Sequence, residues 1–270
     1  MSLIYTAQHA EQWAEFSGDR NPLHFDLKRA ASMGLPEVAI HGMRALLDGK
    51  AALSRAAGRA TFPEDAVLRF HARLRQPTLC RTPYELPIAA SPEAKKWQAK
   101  CVARHTGDVT YSAALHETSA LTFAEAYTPY ELCYGPMFAL LDKISAVTGA
   151  YPWIALDAML FSRIVHAPET LITVHDVLPG LHATNLVDVF TQVPLVQTHH
   201  ETRFSASLLY TGRVQQPASL HYCITPTLVL GDSAGGVVLR MGIQCFQQHE
   251  PLMDVAVTLK TWPASAAVKG

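Results

Sequence analysis

The sequence predicts an α+β fold of two tandem units, each a long helix followed by an antiparallel sheet, and three observations carry that expectation. An apolar helix pattern, opened by Gly42 and stopped by Gly58, runs over residues 42–57. Short segments of alternating polarity follow it, separated by Pro, Gly and Ser turns, as in a meander with one buried face. A related stretch then recurs: YGPMFALLDKISAVTG, residues 134–149, can be laid with small gaps over HGMRALLDGKAALSRAAG, residues 41–58. Two copies of one unit account for a chain of 270 residues, with residues 1–122 as the first and 123–270 as the second.

In order, Thr6 is placed to cap a short helix that buries Ala10, Trp13, Ala14 and either Phe16 or Ser17 and ends at Gly18. Asp26 caps a second short helix over residues 27–33, stopped by Gly34 and Pro36. Between them SGDRNPLH, residues 17–24, is rich in turn residues, and Pro22 keeps Asn21 out of the helical region. A rigid loop therefore presents Asp19 and His24. In the long helix, Met43, Leu46, Leu47, Leu53 and Ala57 share a broad apolar face, while Gly49, Ala51, Ala52 and Ala56 keep its surface small enough for close approach to a sheet. Strands are expected over residues 67–75, 84–90, 97–105 and 109–116. In the second unit they are expected over 154–166, 171–177, 186–193, 201–209, 220–229, 237–244 and 252–262, more than one simple unit requires.

Composition narrows the function. A hydrophobic content of 49% supports a substantial core, and a net charge of −1 gives no basic footprint for nucleic acid. No leader pattern opens the chain and no apolar run is long enough to span a bilayer, so a cytoplasmic protein without membrane insertion is expected. The five cysteines are scattered without a C-x-x-C pair, which reads as reduced, mostly buried thiols. The thirteen histidines match no ligand spacing, and no metal site is expected. No G-x-S-x-G elbow suggests serine hydrolysis. Arg69, His71, Arg73 and Arg75 alternate on one strand, either as a solvated outer face or as a cationic face for carrier phosphates.

The loop SGDRNPLHFD, with Ala30, Gly34 and His41-Gly42-Met43 downstream, resembles the MaoC-like family of (R)-specific enoyl-thioester hydratases and 3-hydroxyacyl-thioester dehydratases. The resemblance is strongest over residues 16–43. It implies a hot-dog fold, an antiparallel sheet wrapped around a central helix, here in the double form with an intrachain pseudo-dimer and room for a further homodimer. It also implies a lyase of fatty acid or polyketide metabolism that needs no cofactor and acts on thioesters of coenzyme A or acyl carrier protein. Asp19 and His24 match the catalytic pair and Gly42 the backbone donor to the thioester carbonyl. Asn21, Pro22, His41 and Met43 are supporting or substrate-binding residues. The second unit carries FAEAYTPYELC where the first has its acid loop, so it is expected to shape the site and not to react. A noncatalytic acyl-thioester module and a hot-dog thioesterase are the rival expectations.

Overall fold

The structure is a computed structural model that describes residues 2–121, 123, 129–133, 135, 139, 151–178, 180–210, 219–232 and 235–261. The N-terminal elements follow their local signals. Helix α1 (Ala7–Ser17) starts after Thr6, whose N–H donates to His9 Nδ1 at 3.2 Å, and ends at Gly18 in the left-handed region with φ 77°. A 3-10 turn, Pro22–His24, leads into α2 (Leu27–Ser32), which Asp26 caps by accepting from the N–H groups of Lys28 and Arg29 at 2.8 and 3.3 Å. The long helix α3 (Gly42–Ala57) has the bounds that its glycines and small residues predict.

The strands are β1 (Ser2–Ile4), β2 (Val67–Leu74), β3 (Pro83–Glu85), β4 (Ile88–Ser91), β5 (Lys96–Ala103), β6 (Val109–Thr118) and β7 (Tyr130–Leu132). They continue with β8 (Leu195–Ser205), β9 (Leu220–Asp232), β10 (Gly236–Gln247) and β11 (Glu250–Thr261). All join one antiparallel sheet in the order β1-β3-β5-β6-β2-β8-β11-β10-β9-β7, with β4 paired to β5. The expected strand over residues 84–90 is therefore two short pieces. At the middle of the sheet β2 pairs with β8, Phe70 opposite Thr202 and Ala72 opposite His200, so strands from the two parts of the chain meet edge to edge. Such pairing removes an exposed edge from each side.

Three segments expected to be strands are helical. Residues 154–166 lie in α4 (Pro152–His166), residues 171–177 in a 3-10 turn and α5 (Ile172–Val177), and residues 186–193 in α6 (Leu186–Gln192). The reason is plain for α4. Thirteen of its fifteen residues are buried, so its apolar run lacks the polar face that marks a helical period. Pro152 at its first position fits a helix start, where no N–H bond is forfeited. The central helix of the second part is thus α4. The stretch aligned with α3 lies largely outside the described residues.

The two central helices meet through a buried polar cluster. Lys50 of α3 forms an ion pair with Asp157 of α4, and His200 Nε2–H donates to the same carboxylate at 2.8 Å. Thr202 donates to it as well, and Lys50, Asp157, His200 and Thr202 are all fully buried or within 1% of it. Burial alone would raise the pKa of Asp157, but His200 and Lys50 overcome it and hold the carboxyl below its usual range. Nearby, Trp153 Nε1–H donates to Ser54 Oγ at 2.9 Å while its ring stacks on Phe204 with centroids 4.4 Å apart. Cys80, Cys101, Cys223 and Cys245 are buried free thiols, and Cys133 is exposed. Among the described residues no helix is long and apolar enough to cross a membrane.

Candidate active site

The acid loop is built by local hydrogen bonds. Asp19 N–H donates to Ser17 Oγ at 3.1 Å, Asn21 N–H donates to Asp19 Oδ1 at 3.1 Å, and Leu23 N–H donates to Asn21 Oδ1 at 3.1 Å. Each short polar side chain thus folds the backbone that follows it. Pro22 opens the 3-10 turn that carries His24, where its missing N–H is no loss. The loop is also tied to the rest of the chain: Asn21 Nδ2 donates to the Leu195 carbonyl at 3.3 Å, and a Cβ on Gly18 would meet His166 Nε2 at 2.2 Å. Residues 38–40 are pinned to 78–80, with Ile40 N–H donating to the Thr78 carbonyl at 2.8 Å and Cys80 N–H to the Val38 carbonyl at 2.9 Å.

This frame orients the side chains. His24 Nδ1–H donates to the Ala39 carbonyl at 2.8 Å, which leaves Nε2 as the basic nitrogen of the neutral ring. His41 Nε2–H donates to the Asp19 carbonyl at 2.9 Å, and its ring stacks on His24 with centroids 3.7 Å apart. His41 stands at the N-cap of α3 without a side-chain cap bond, so it buttresses the loop and the ring of His24 and does not cap the helix. Gly42 is the first residue of α3, where the N–H has no partner within the helix and the positive end of the helix dipole lies. Met43 is buried behind it.

Asp19, His24, Gly42 and Met43 line one cavity of about 130 Å³, roughly ten times the space one water requires. Burial acts on the pair in opposite senses. It raises the Asp19 carboxyl to about 7 against the opposing bond from Asn21, and it lowers His24 to about 4 against the bond to Ala39. His41 is held well below the usual imidazole range, first by burial and then by His24. A neutral imidazole beside a carboxyl poised near neutrality can accept one proton and deliver another.

Asp19, His24 and His41 each bring a potential ligand atom within 4.8 Å of the others, which the sequence spacing did not disclose. The rings of His24 and His41 lie with their planes 31° apart, and His41 Nδ1 is buried with no hydrogen-bond partner.

The opposite wall comes from the second part of the chain. Phe161 of α4, Phe190 of α6, and Leu195 and Gln197 of β8 line the cavity, and none of them carried a local signal in the sequence. They are recruited by tertiary packing of segments that read as strands or plain apolar runs. The cationic run is divided: Arg69 pairs with Glu201 at 2.8 Å, His71 and Arg73 are exposed on the strand, and Arg75 stands exposed beyond the strand end at the cavity rim.

One half of the sheet packs on α3 and the other on α4, and the halves join through β2 and β8. The fold is a double hot-dog. No family model matches the chain, and no curated protein matches it. Among solved structures, a MaoC-like dehydratase is similar at 10% identity and a TM-score of 0.48, over 96% of this chain and 95% of its own. A conserved hypothetical protein of Mycobacterium tuberculosis described as a double hotdog fold is similar at 11% identity and a TM-score of 0.46, over 97% and 94%. An acyl-CoA thioesterase II of Mycobacterium marinum is similar at 11% identity and a TM-score of 0.43, over 83% and 90%. These likenesses are distant, and the chemistry of the site rests on its own side chains.

Proposed function

We propose that this double hot-dog chain is an acyl-thioester hydro-lyase, adding water to trans-2-enoyl thioesters or removing it from (R)-3-hydroxyacyl thioesters of coenzyme A or an acyl carrier protein. The observation that carries the reading is the buried Asp19 and His24 pair facing one cavity with the N-terminus of α3. Residues 1–122 form the catalytic unit, and residues 123–270 a second hot-dog unit without an acid loop that walls the cavity.

In hydration, one water lies between Asp19 and His24. The pair takes a proton from it as its oxygen bonds to C3 of the enoyl group. The C2–C3 π electrons move toward the thioester carbonyl, where the Gly42 N–H and the dipole of α3 stabilise the enolate. The pair then returns a proton to C2, and the thioester is restored. Asn21 and Pro22 hold the loop in shape, and His41 fixes the ring of His24. No step calls for a metal or an organic cofactor.

The test is loss of enoyl-thioester absorbance over a ladder of enoyl-CoA chain lengths, repeated with the same groups on a carrier protein. Asp19→Asn and His24→Ala should each lower turnover by on the order of 100-fold or more while the circular dichroism stays unchanged. Near-parental rates in both folded variants would sink the reading. Release of free thiol without hydration would move the chain to the thioesterases, and tight binding without either change to a noncatalytic module.

A further inference from the structure

The cavity holds a polar group that the reaction above does not use. The Gln197 side chain lines it, yet its Nε2 is buried and has no hydrogen-bond partner. A buried amide donor left unsatisfied is unfavourable, so a partner supplied by a ligand would be favoured there. Its orientation is the product of a specific backbone irregularity. Along β8 the even residues His200, Thr202 and Phe204 point into the core, so strict alternation would turn residues 195 and 197 outward. Opposite β11, however, His199 pairs with Thr258 and Gln197 with the next residue, Leu259, which leaves Thr198 as an extra residue. That bulge inverts the alternation, so that Leu195 is buried and the Gln197 amide reaches the start of α3. Asn21 holds the start of the same strand through the Leu195 carbonyl.

The Gln197 amide also abuts the helix start. A Cβ built on Gly42 would lie 2.7 Å from Gln197 Oε1 and 3.5 Å from its Cδ. In the structure Oε1 is the amide end nearest Gly42 and Nε2 the enclosed one. Turning the amide about its Cγ–Cδ bond exchanges the two ends, and a thioester carbonyl oxygen at the helix start selects the orientation with NH₂ toward it.

We infer that Gln197, from the second unit, donates a second hydrogen bond to the thioester carbonyl oxygen, so that the oxyanion hole is completed by both halves of the chain. The inference rests on the proposed acyl-thioester chemistry. As water oxygen bonds to C3 and the π electrons reach the carbonyl oxygen, that oxygen gains charge and both donors tighten on it. Collapse of the enolate with protonation at C2 returns them to ordinary hydrogen bonds.

The test uses Gln197→Met, which keeps volume and removes the donor, in the full chain. In the hydration assay kcat should fall on the order of 100-fold, with KM within about threefold of the parent. A second readout does not need turnover: the Raman carbonyl stretch of bound butyryl-CoA and dodecanoyl-CoA, saturated thioesters that cannot be hydrated. The parent should lower that frequency on binding, and Gln197→Met should lose part of the shift. Unchanged kcat in a parent that hydrates, equal shifts in parent and variant, or no shift in the parent overturns the assignment. A Gln197-dependent shift in a parent that fails to hydrate enoyl thioesters leaves the donor standing and removes the lyase reading alone.

Discussion

At the scale of residues, Asp19 and His24 were legible because their loop is assembled from contacts two residues apart, and such chemistry is written locally. Their protonation was not, because it comes from burial by α3 and by the second unit. With the carboxyl near 7 and the imidazole near 4, the pair holds one transferable proton between those values. The pH profile of kcat/KM for enoyl hydration should therefore fall below about 4 and above about 7, and the residual activity of Asp19→Asn should lack the upper limb. Stability carries the same signature. A carboxyl raised from 3.8 to about 7 favours the folded state below pH 4 and loses that contribution as pH rises toward 7. Asp19→Asn should thus become progressively more stable than the parent between pH 4 and 7 and then level off, by about 4 kcal/mol at most. Urea unfolding at four pH values measures this, and a pH-independent difference would contradict the burial of Asp19.

At the scale of elements, the best-read helix and the missed one differ in how they are buried. Helix α3 shows its bounds through Gly42, Gly58 and a small-residue surface. Helix α4 is enclosed on all sides by α1, α3 and the sheet, and a helix enclosed in this way has no periodicity to read. The bulge at Thr198 left no mark either, since it is visible only against the partner strand. The start of α3 is the element feature most open to test. A methyl on Gly42 would press on Leu74 Cδ2 at 2.6 Å and on the Gln197 amide at 2.7 Å, both movable side-chain ends. Gly42→Ala should therefore fold with little change in melting temperature and lose on the order of 10-fold or more in kcat/KM, as Leu74 and Gln197 shift and the approach to the N–H narrows. Hydration kinetics and calorimetry on the same preparation separate the two effects.

At the scale of the molecule, the two-unit plan follows from helix-plus-sheet patterning, but the way the units lock together does not. Lys50 lies outside the apolar face read from the sequence of α3, and only the structure places it against Asp157 and His200. Asp157→Ala leaves a cation buried without its counter-charge, and should destabilise the chain by roughly 3–5 kcal/mol in denaturant titration. Lys50→Met combined with Asp157→Leu should cost less than the sum of the single changes, because no lone charge remains. Strict additivity would mean that the cluster is not coupled.

The junction of β2 with β8 also governs how the protein behaves on dilution. A cavity assembled from two separate subunits empties of one wall as concentration falls below their dissociation constant. Here both walls belong to one chain, so activity per chain should hold constant from micromolar to picomolar protein. A single tight-binding thioester analogue should titrate one equivalent per chain throughout that range.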